Sequence, residues 1–191
     1  MCLDQLKRFG ARKGAWAVVT GATDGIGKEF SYQLAKNGFN VLLVARNPQL
    51  LSEIAVDIGQ SYMLCIPLSQ LTCNNLGLES RYKVSTSTHV IDFSKSSDDA
   101  YDGLAITCGG LDIGVLGMLI YFVTNSPMLI LTVNNVGKSH TMPAYLVDTP
   151  KDEISDIVAI NVNATLRVTY TILPGMVKRC VHYIVGFGMK L

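Results

Sequence analysis

The run Val18-Val19-Thr20-Gly21-Ala22-Thr23-Asp24-Gly25-Ile26-Gly27 constrains this chain more than any other stretch. It joins Ala15 to Thr20, a short apolar run rich in β-formers, to a segment that repeats its apolar residues at helical spacing from Ile26 onward. Glycines 21, 25 and 27 let the backbone turn sharply and pass close to a pyrophosphate, and the amides at the start of the helix face its negative charge. The turn predicts a dinucleotide site. The spacing Gly-x-x-x-Gly-x-Gly also fits an ordinary strand-to-helix connection, so the flanking elements have to decide.

Ile26, Phe30, Leu34 and Ala35 give a helix that stops at Asn37-Gly38, a good C-terminal cap pair. Phe39 to Ala45 is almost wholly apolar and predicts a second buried strand, so residues 1–45 hold a right-handed βαβ unit. The tip of that second strand is where such a fold selects its cofactor. An acidic residue there would bind a ribose 2′-hydroxyl, whereas Ala45-Arg46 offers a guanidinium to a 2′-phosphate. NADP is therefore expected over NAD, the other possibility being a solvated loop arginine.

A length of 191 residues suits a single domain, residues 1–191. Net charge is +1 with 16% charged residues, so no basic surface points to nucleic acid. The five cysteines, at 2, 65, 73, 108 and 180, form no Cys-x-x-Cys pair, and histidines 89, 140 and 182 lie far apart. Reduced thiols and no metal site are expected. Lys7, Arg8, Arg12 and Lys13 surround a short amphipathic start, either a solvated lead-in or a juxtamembrane remnant.

Residues 49–58 continue as a helix with Leu50, Leu51, Ile54 and Ile58 on one face, and then the pattern breaks: no charge occurs from Ile58 through Leu78. Val84 to Phe93 alternates into a strand, and Asp92 at its end could cap a helix beginning near Ser94 to Ser97. A helix through Ala100 to Cys108 leads to Leu111–Leu116, the opening of a fourth parallel strand. The window from Ile113 to Gly137 is free of charge and approaches the length of a membrane span, but Asn125-Ser126-Pro127 divides it into two strand-length halves. Either Ile113–Leu116 or Met128–Val133 can take the fourth strand position. The second adjoins Asn134 and is more apolar, so it is favoured. Asn134 and Asn135 would then leave the C-terminal end of that strand, where open α/β sheets bind ligands. Thr149-Pro150-Lys151-Asp152 opens a long helix, with threonine as cap. Ile154, Ile157, Val158, Val162, Leu166, Val168 and Thr169 supply its expected buried face, and Asn161, which falls inside it, needs hydrogen-bond partners.

Thr20 to Gly27, Arg46, Asp92 and Asn134-Asn135-Val136-Gly137 together resemble the short-chain dehydrogenase/reductases. Gly14 to Val19, Leu43-Val44-Ala45-Arg46-Asn47 and Asn134 to His140 are more narrowly similar to fungal very-long-chain 3-oxoacyl-CoA reductases. The likeness covers residues 1–58, 79–116 and 133–179, leaving about 59–78, 117–132 and 180–191 as segments foreign to the family. The two internal ones look like intron text read through in the transcript. The resemblance implies a Rossmann-like, doubly wound parallel sheet, incomplete at the C-terminus, with NADPH as cofactor. It implies cofactor contacts at Gly21, Thr23, Asp24, Gly25, Ile26, Gly27, Arg46, Asp92, Asn134, Asn135 and Gly137, with Asp92 at the adenine. Matching Ile160-Asn161-Val162, Arg167 and Leu173-Pro174-Gly175-Met176 makes Asn161, rather than Asn163, the family's catalytic asparagine. It further implies a 3-oxoacyl-CoA substrate reduced in fatty-acid elongation, elongation-complex partners and the endoplasmic reticulum membrane, although no anchor precedes the first strand here. Close relatives act on steroids.

Ketone reduction in this family also uses a tyrosine, a lysine four residues beyond it, and a serine. After Lys178-Arg179 the sequence runs Cys180 to Leu191, where Tyr183 has Phe187 at the fourth position, and no serine follows residue 156. Tyr32 and Lys36 have the spacing but lie on the helix after the glycine turn, where they are expected on its surface. The 191 residues are thus expected to show no turnover. A non-catalytic nucleotide-binding chain is the second hypothesis, and a protein spanning a membrane at 113–133 the third.

Overall fold

The computed structural model describes residues 10–61, 82–116, 134–140 and 145–178. Its elements are β1 (Trp16–Thr20), α1 (Gly25–Lys36), β2 (Asn40–Ala45), α2 (Pro48–Ile58), β3 (Gln60–Ser61), β4 (Ser85–Val90), α3 (Asp98–Gly109) and β5 (Ile113–Leu116). A 3-10 turn (Leu146–Asp148), α4 (Lys151–Val158), a π-helical segment (Ala159–Ala164) and α5 (Thr165–Lys178) follow. Among the described residues these five strands pair in parallel, in the order β3-β4-β2-β1-β5.

Alternation along the strands sends side chains to two cores. Ala17, Val19, Val41 and Leu43 pack with Leu34 of α1 and Leu51, Ile54 and Ile58 of α2. Val18, Leu42 and Val44 pack with Tyr101 and Leu104 of α3 and Val168 and Ile172 of α5. Helices on both faces make the sheet doubly wound, as expected, and explain why β1 and β2 are apolar on both sides. Each fully buried aliphatic residue contributes about 1.5–3 kcal/mol.

Several local expectations are corrected. The buried face of α1 is Gly27, Ser31, Leu34 and Ala35, while Ile26 is 57% exposed. Small residues at 27 and 31 let the helix approach the sheet, which rotates Ile26 outward. In α2 the buried residues are Leu51, Ile54, Ala55 and Ile58, and Leu50 is 40% exposed. Strand β4 stops at Val90 because Asp92 turns the chain: its Oδ1 accepts from the Ser94 amide (3.1 Å) and hydroxyl (2.8 Å). Asp92 therefore does not cap α3, whose cap position is Ser97.

Ile113–Leu116 pairs with β1 on the side away from β2, while the other candidate for the fourth strand, Met128–Val133, lies outside the described residues. Leu111 and Asp112 lead straight from α3 into the sheet, and the Trp16 amide donates to the Asp112 carbonyl at 2.8 Å, which fixes the start of the pairing. Residues 128–133 lie outside the described residues, as do 1–9, 62–81, the whole of 117–132, and 180–191. Pro150, not Thr149, holds the cap position of α4, and the Thr149 hydroxyl instead donates to the Tyr145 carbonyl (3.1 Å). The long helix buries Ala164, Val168 and Ile172, while Val158, Val162 and Leu166 are exposed. The π-helical segment takes more residues per turn than an α-helix, so the buried stripe beyond it is shifted from the one that α-helical spacing predicts. Among the described residues no helix is long and apolar enough to cross a membrane.

Candidate functional site

A cleft of about 520 Å³ opens at the C-terminal ends of β1, β2 and β4, floored by the glycine turn. Gly21 (φ +64°) and Gly25 (φ +49°) hold left-handed backbone that side chains disfavour, and a Cβ at Gly25 would meet nothing within 4 Å, so the turn is open on its cleft side. A Cβ at Gly27 would lie 2.3 Å from the Gly21 carbonyl oxygen and 2.4 Å from Asn135 Nδ2. Gly27 therefore lies beneath the turn and keeps helix and turn in contact. Asp24 caps α1, its Oδ1 accepting from the Gly25 amide at 2.8 Å. A closely packed turn with open space above it and a helix N-terminus behind it fits a pyrophosphate.

The turn is tied to the segment after β5 by two side chains. Thr20, buried at the end of β1, accepts from the amides of Asn135 (3.0 Å) and Val136 (3.4 Å) through Oγ1. Asn135 Nδ2 donates to the Gly21 carbonyl at 3.3 Å. Asn134 points away into the core, donating through Nδ2 to the Thr165 carbonyl (3.2 Å) and Thr169 Oγ1 (3.1 Å). It braces α5 rather than lining the cleft.

Arg46 and Asp92 line the cleft just beyond the C-terminal ends of β2 and β4. Partial burial pushes the Asp92 carboxyl up. The two Ser94 hydrogen bonds and the charges of Arg46 and Lys95 outweigh it and hold Asp92 below the ordinary carboxylate range. It is an anion, suited to accept hydrogen bonds.

Asn161 lies in the π-helical segment and faces Lys138. Its Oδ1 accepts from the Lys138 amide (2.9 Å) and its Nδ2 donates to the Lys138 carbonyl (2.8 Å), which satisfies the amide as its placement demands. Lys138 Nζ pairs with Asp156 Oδ2 at 2.6 Å, and His140 Nδ1 lies 2.9 Å from Glu153 Oε1. The loop 134–140 is thus fastened along α4 and the π-helical segment.

Of the residues expected to bind cofactor, the structure gathers Gly21, Thr23, Asp24, Gly25, Ile26, Arg46, Asp92, Asn135 and Gly137 around the cleft. Gly27, Asn134 and Asn161 support it from behind. Phe93, Ser94, Lys138, Asp156 and Ile160 also line it, and all but Ser94 carry no signal of their own, because chain folding alone brings them there. Asp-x-Ser at 92–94 is the one sequence hint among them. Tyr32 donates to Asp57 Oδ2 on the outer side of α1 and α2, remote from the cleft as expected. Among the described residues no group of three metal-ligand side chains occurs. Burial pushes the Cys108 thiol up to about 12, so it is neutral core rather than a nucleophile.

A family model described as short chain dehydrogenase matches residues 15–69. The chain is 55% identical over 183 residues to the very-long-chain 3-oxoacyl-CoA reductase of Coprinopsis cinerea, covering 96% of this chain and 43% of that protein. It is 52% identical to the protein of the same name from Laccaria bicolor, covering 96% and 44% respectively. It spans less than half the length of these curated relatives. Among solved structures, a metagenomic short-chain oxidoreductase in complex with NADP superposes with TM-score 0.62 at 24% identity, over 91% of this chain and 61% of that one. A short-chain dehydrogenase from Sphingobium yanoikuyae in complex with NADPH gives 0.62 at 18% identity, over 91% and 53%. The glycine turn, which lies within residues 15–69, and the parallel order β3-β4-β2-β1-β5 agree with these likenesses, and the chain belongs to the short-chain dehydrogenase/reductase family.

Proposed function

We propose that this chain is the NADP(H)-binding portion of a very-long-chain 3-oxoacyl-CoA reductase of fatty-acid elongation, working at the endoplasmic reticulum membrane with other elongation proteins. The observation that carries the cofactor choice is Arg46, at the tip of β2 and on the wall of the cleft, where its guanidinium would hold a 2′-phosphate. The similarity to the Coprinopsis and Laccaria proteins supports the substrate class. NADPH, when bound, supplies the hydride for the 3-keto carbon. The residues of this chain bind and orient it: the turn 21–27 takes the pyrophosphate, Asp92 the adenine, Asn135 holds turn and loop together, and Asn161 fixes the wall at Lys138.

A second reading is nucleotide binding without catalysis. Fluorescence titration separates cofactor choice from chemistry. The expected result is tighter binding of NADPH than NADH, with Arg46→Ala removing about tenfold of that preference; equal affinity for both before substitution would refute the NADP assignment. Loss of reduced-nicotinamide absorbance with a 3-oxoacyl-CoA tests turnover. Measurable turnover would overturn the non-catalytic reading, and NADPH binding without turnover would support it.

A further inference from the structure

Lys138 is fastened twice to one stretch of helix, its main chain by the Asn161 amide and its ammonium by Asp156 at 2.6 Å. In an uninterrupted α-helix, residues five apart point about 140° from each other. The π-helical segment beginning at Ala159 widens the turn between them, so both reach the same loop. Asn161 alone secures the main chain, which leaves the ammonium free to change partner without moving the wall. The pair is accessible, with side chains 37% and 39% exposed, and both residues line the cleft.

The charge of the cleft is unusual for an anion site: two cations, Arg46 and Lys138, face three carboxylates, Asp24, Asp92 and Asp156. Asp24 is engaged with the Gly25 amide and Asp92 with Ser94. Asp156 is engaged with Lys138.

We propose that Asp156 stands in for a cofactor phosphate: it holds the Lys138 ammonium at the wall of the free cleft and yields it to a phosphate of bound NADP(H). Lys138 is then a cofactor-binding residue and Asp156 a tuning residue that lowers affinity. The 2′-phosphate monoester carries more charge than a carboxylate, and the pyrophosphate sets two adjacent anionic groups with more acceptor oxygens in the cleft, so either wins the exchange when seated there. The inference rests on the dinucleotide assignment of the cleft.

Titration of the whole chain with NADPH and with NADH, by nucleotide fluorescence, tests it in two near-isosteric variants. Lys138→Gln is expected to weaken binding about three- to tenfold, and Asp156→Asn to tighten it about two- to fivefold. A latch with only a structural role would weaken binding in both variants, so opposite signs are diagnostic. Thermal unfolding of each variant shows that the fold is retained. Effects seen with both nucleotides place the contact on the pyrophosphate, and effects confined to NADPH place it on the 2′-phosphate. Unchanged affinity in both variants, or weakening in both, overturns the exchange. A wild-type chain that binds neither nucleotide overturns the cofactor assignment itself, and the exchange with it.

Discussion

At Gly27 an added methyl group would sit 2.3 Å from the Gly21 carbonyl oxygen, a backbone atom that cannot move without deforming the turn. Gly27→Ala is therefore expected to cost about 1–3 kcal/mol of stability and to abolish nucleotide binding, checked by urea unfolding and fluorescence titration. Gly109→Ala is the control: a Cβ there meets nothing within 4 Å, and the last residue of α3 gains up to about 1 kcal/mol from the helical preference of alanine. Glycine spacing made the turn legible in the sequence, because positive φ and close approach demand that residue type. The difference between Asn134 and Asn135 was not legible. Adjacent asparagines have the same chemistry, and only the fold turns one toward Thr165 and the other toward Gly21.

The phase of a helix is harder to read than its existence. The apolar run in α2 admits a stripe containing Leu50 or one containing Ala55, and the sheet chooses the second. Leu51→Ala is expected to cost about 2–5 kcal/mol and Leu50→Ala under about 0.5 kcal/mol, a difference that paired urea titrations resolve. The strands were legible because both faces of β1 and β2 are covered, so apolar content and length suffice to place them. At the fourth strand, a short connection from α3 delivers Ile113 to the side of Trp16, whereas Met128–Val133, which hydropathy favours, lies outside the described residues. The π-helical segment had no compositional sign, and it is what moves Val162 and Leu166 off the buried face and sets Asn161 against Lys138.

The doubly wound arrangement encloses β4 between α2 and α3, and this gives the whole molecule a pH dependence of known sign. His89 on β4 packs against Gly103, with Nδ1 at 3.1 Å from Thr107 Oγ1. Burial pushes its imidazole pKa below 6.5, and a hydrogen bond with Ala100 offsets only part of that. Above pH 6.5 folded and unfolded chains both carry the neutral ring, and the full stability is present. As pH falls below 6.5 the unfolded chain takes up a proton that the folded site resists, so stability declines until the lowered folded pKa is passed. Asp92 acts with the same sign further down: the stability it contributes above pH 3.8 is lost as pH falls through its lowered folded pKa. The urea midpoint should therefore drop on going from about pH 7.5 to about pH 5. His89→Gln, which keeps a donor for Thr107 but does not titrate, should flatten that slope. If the slope survives the substitution unchanged, the acid sensitivity arises elsewhere in the chain, and the packing of α3 against β4 is not its source.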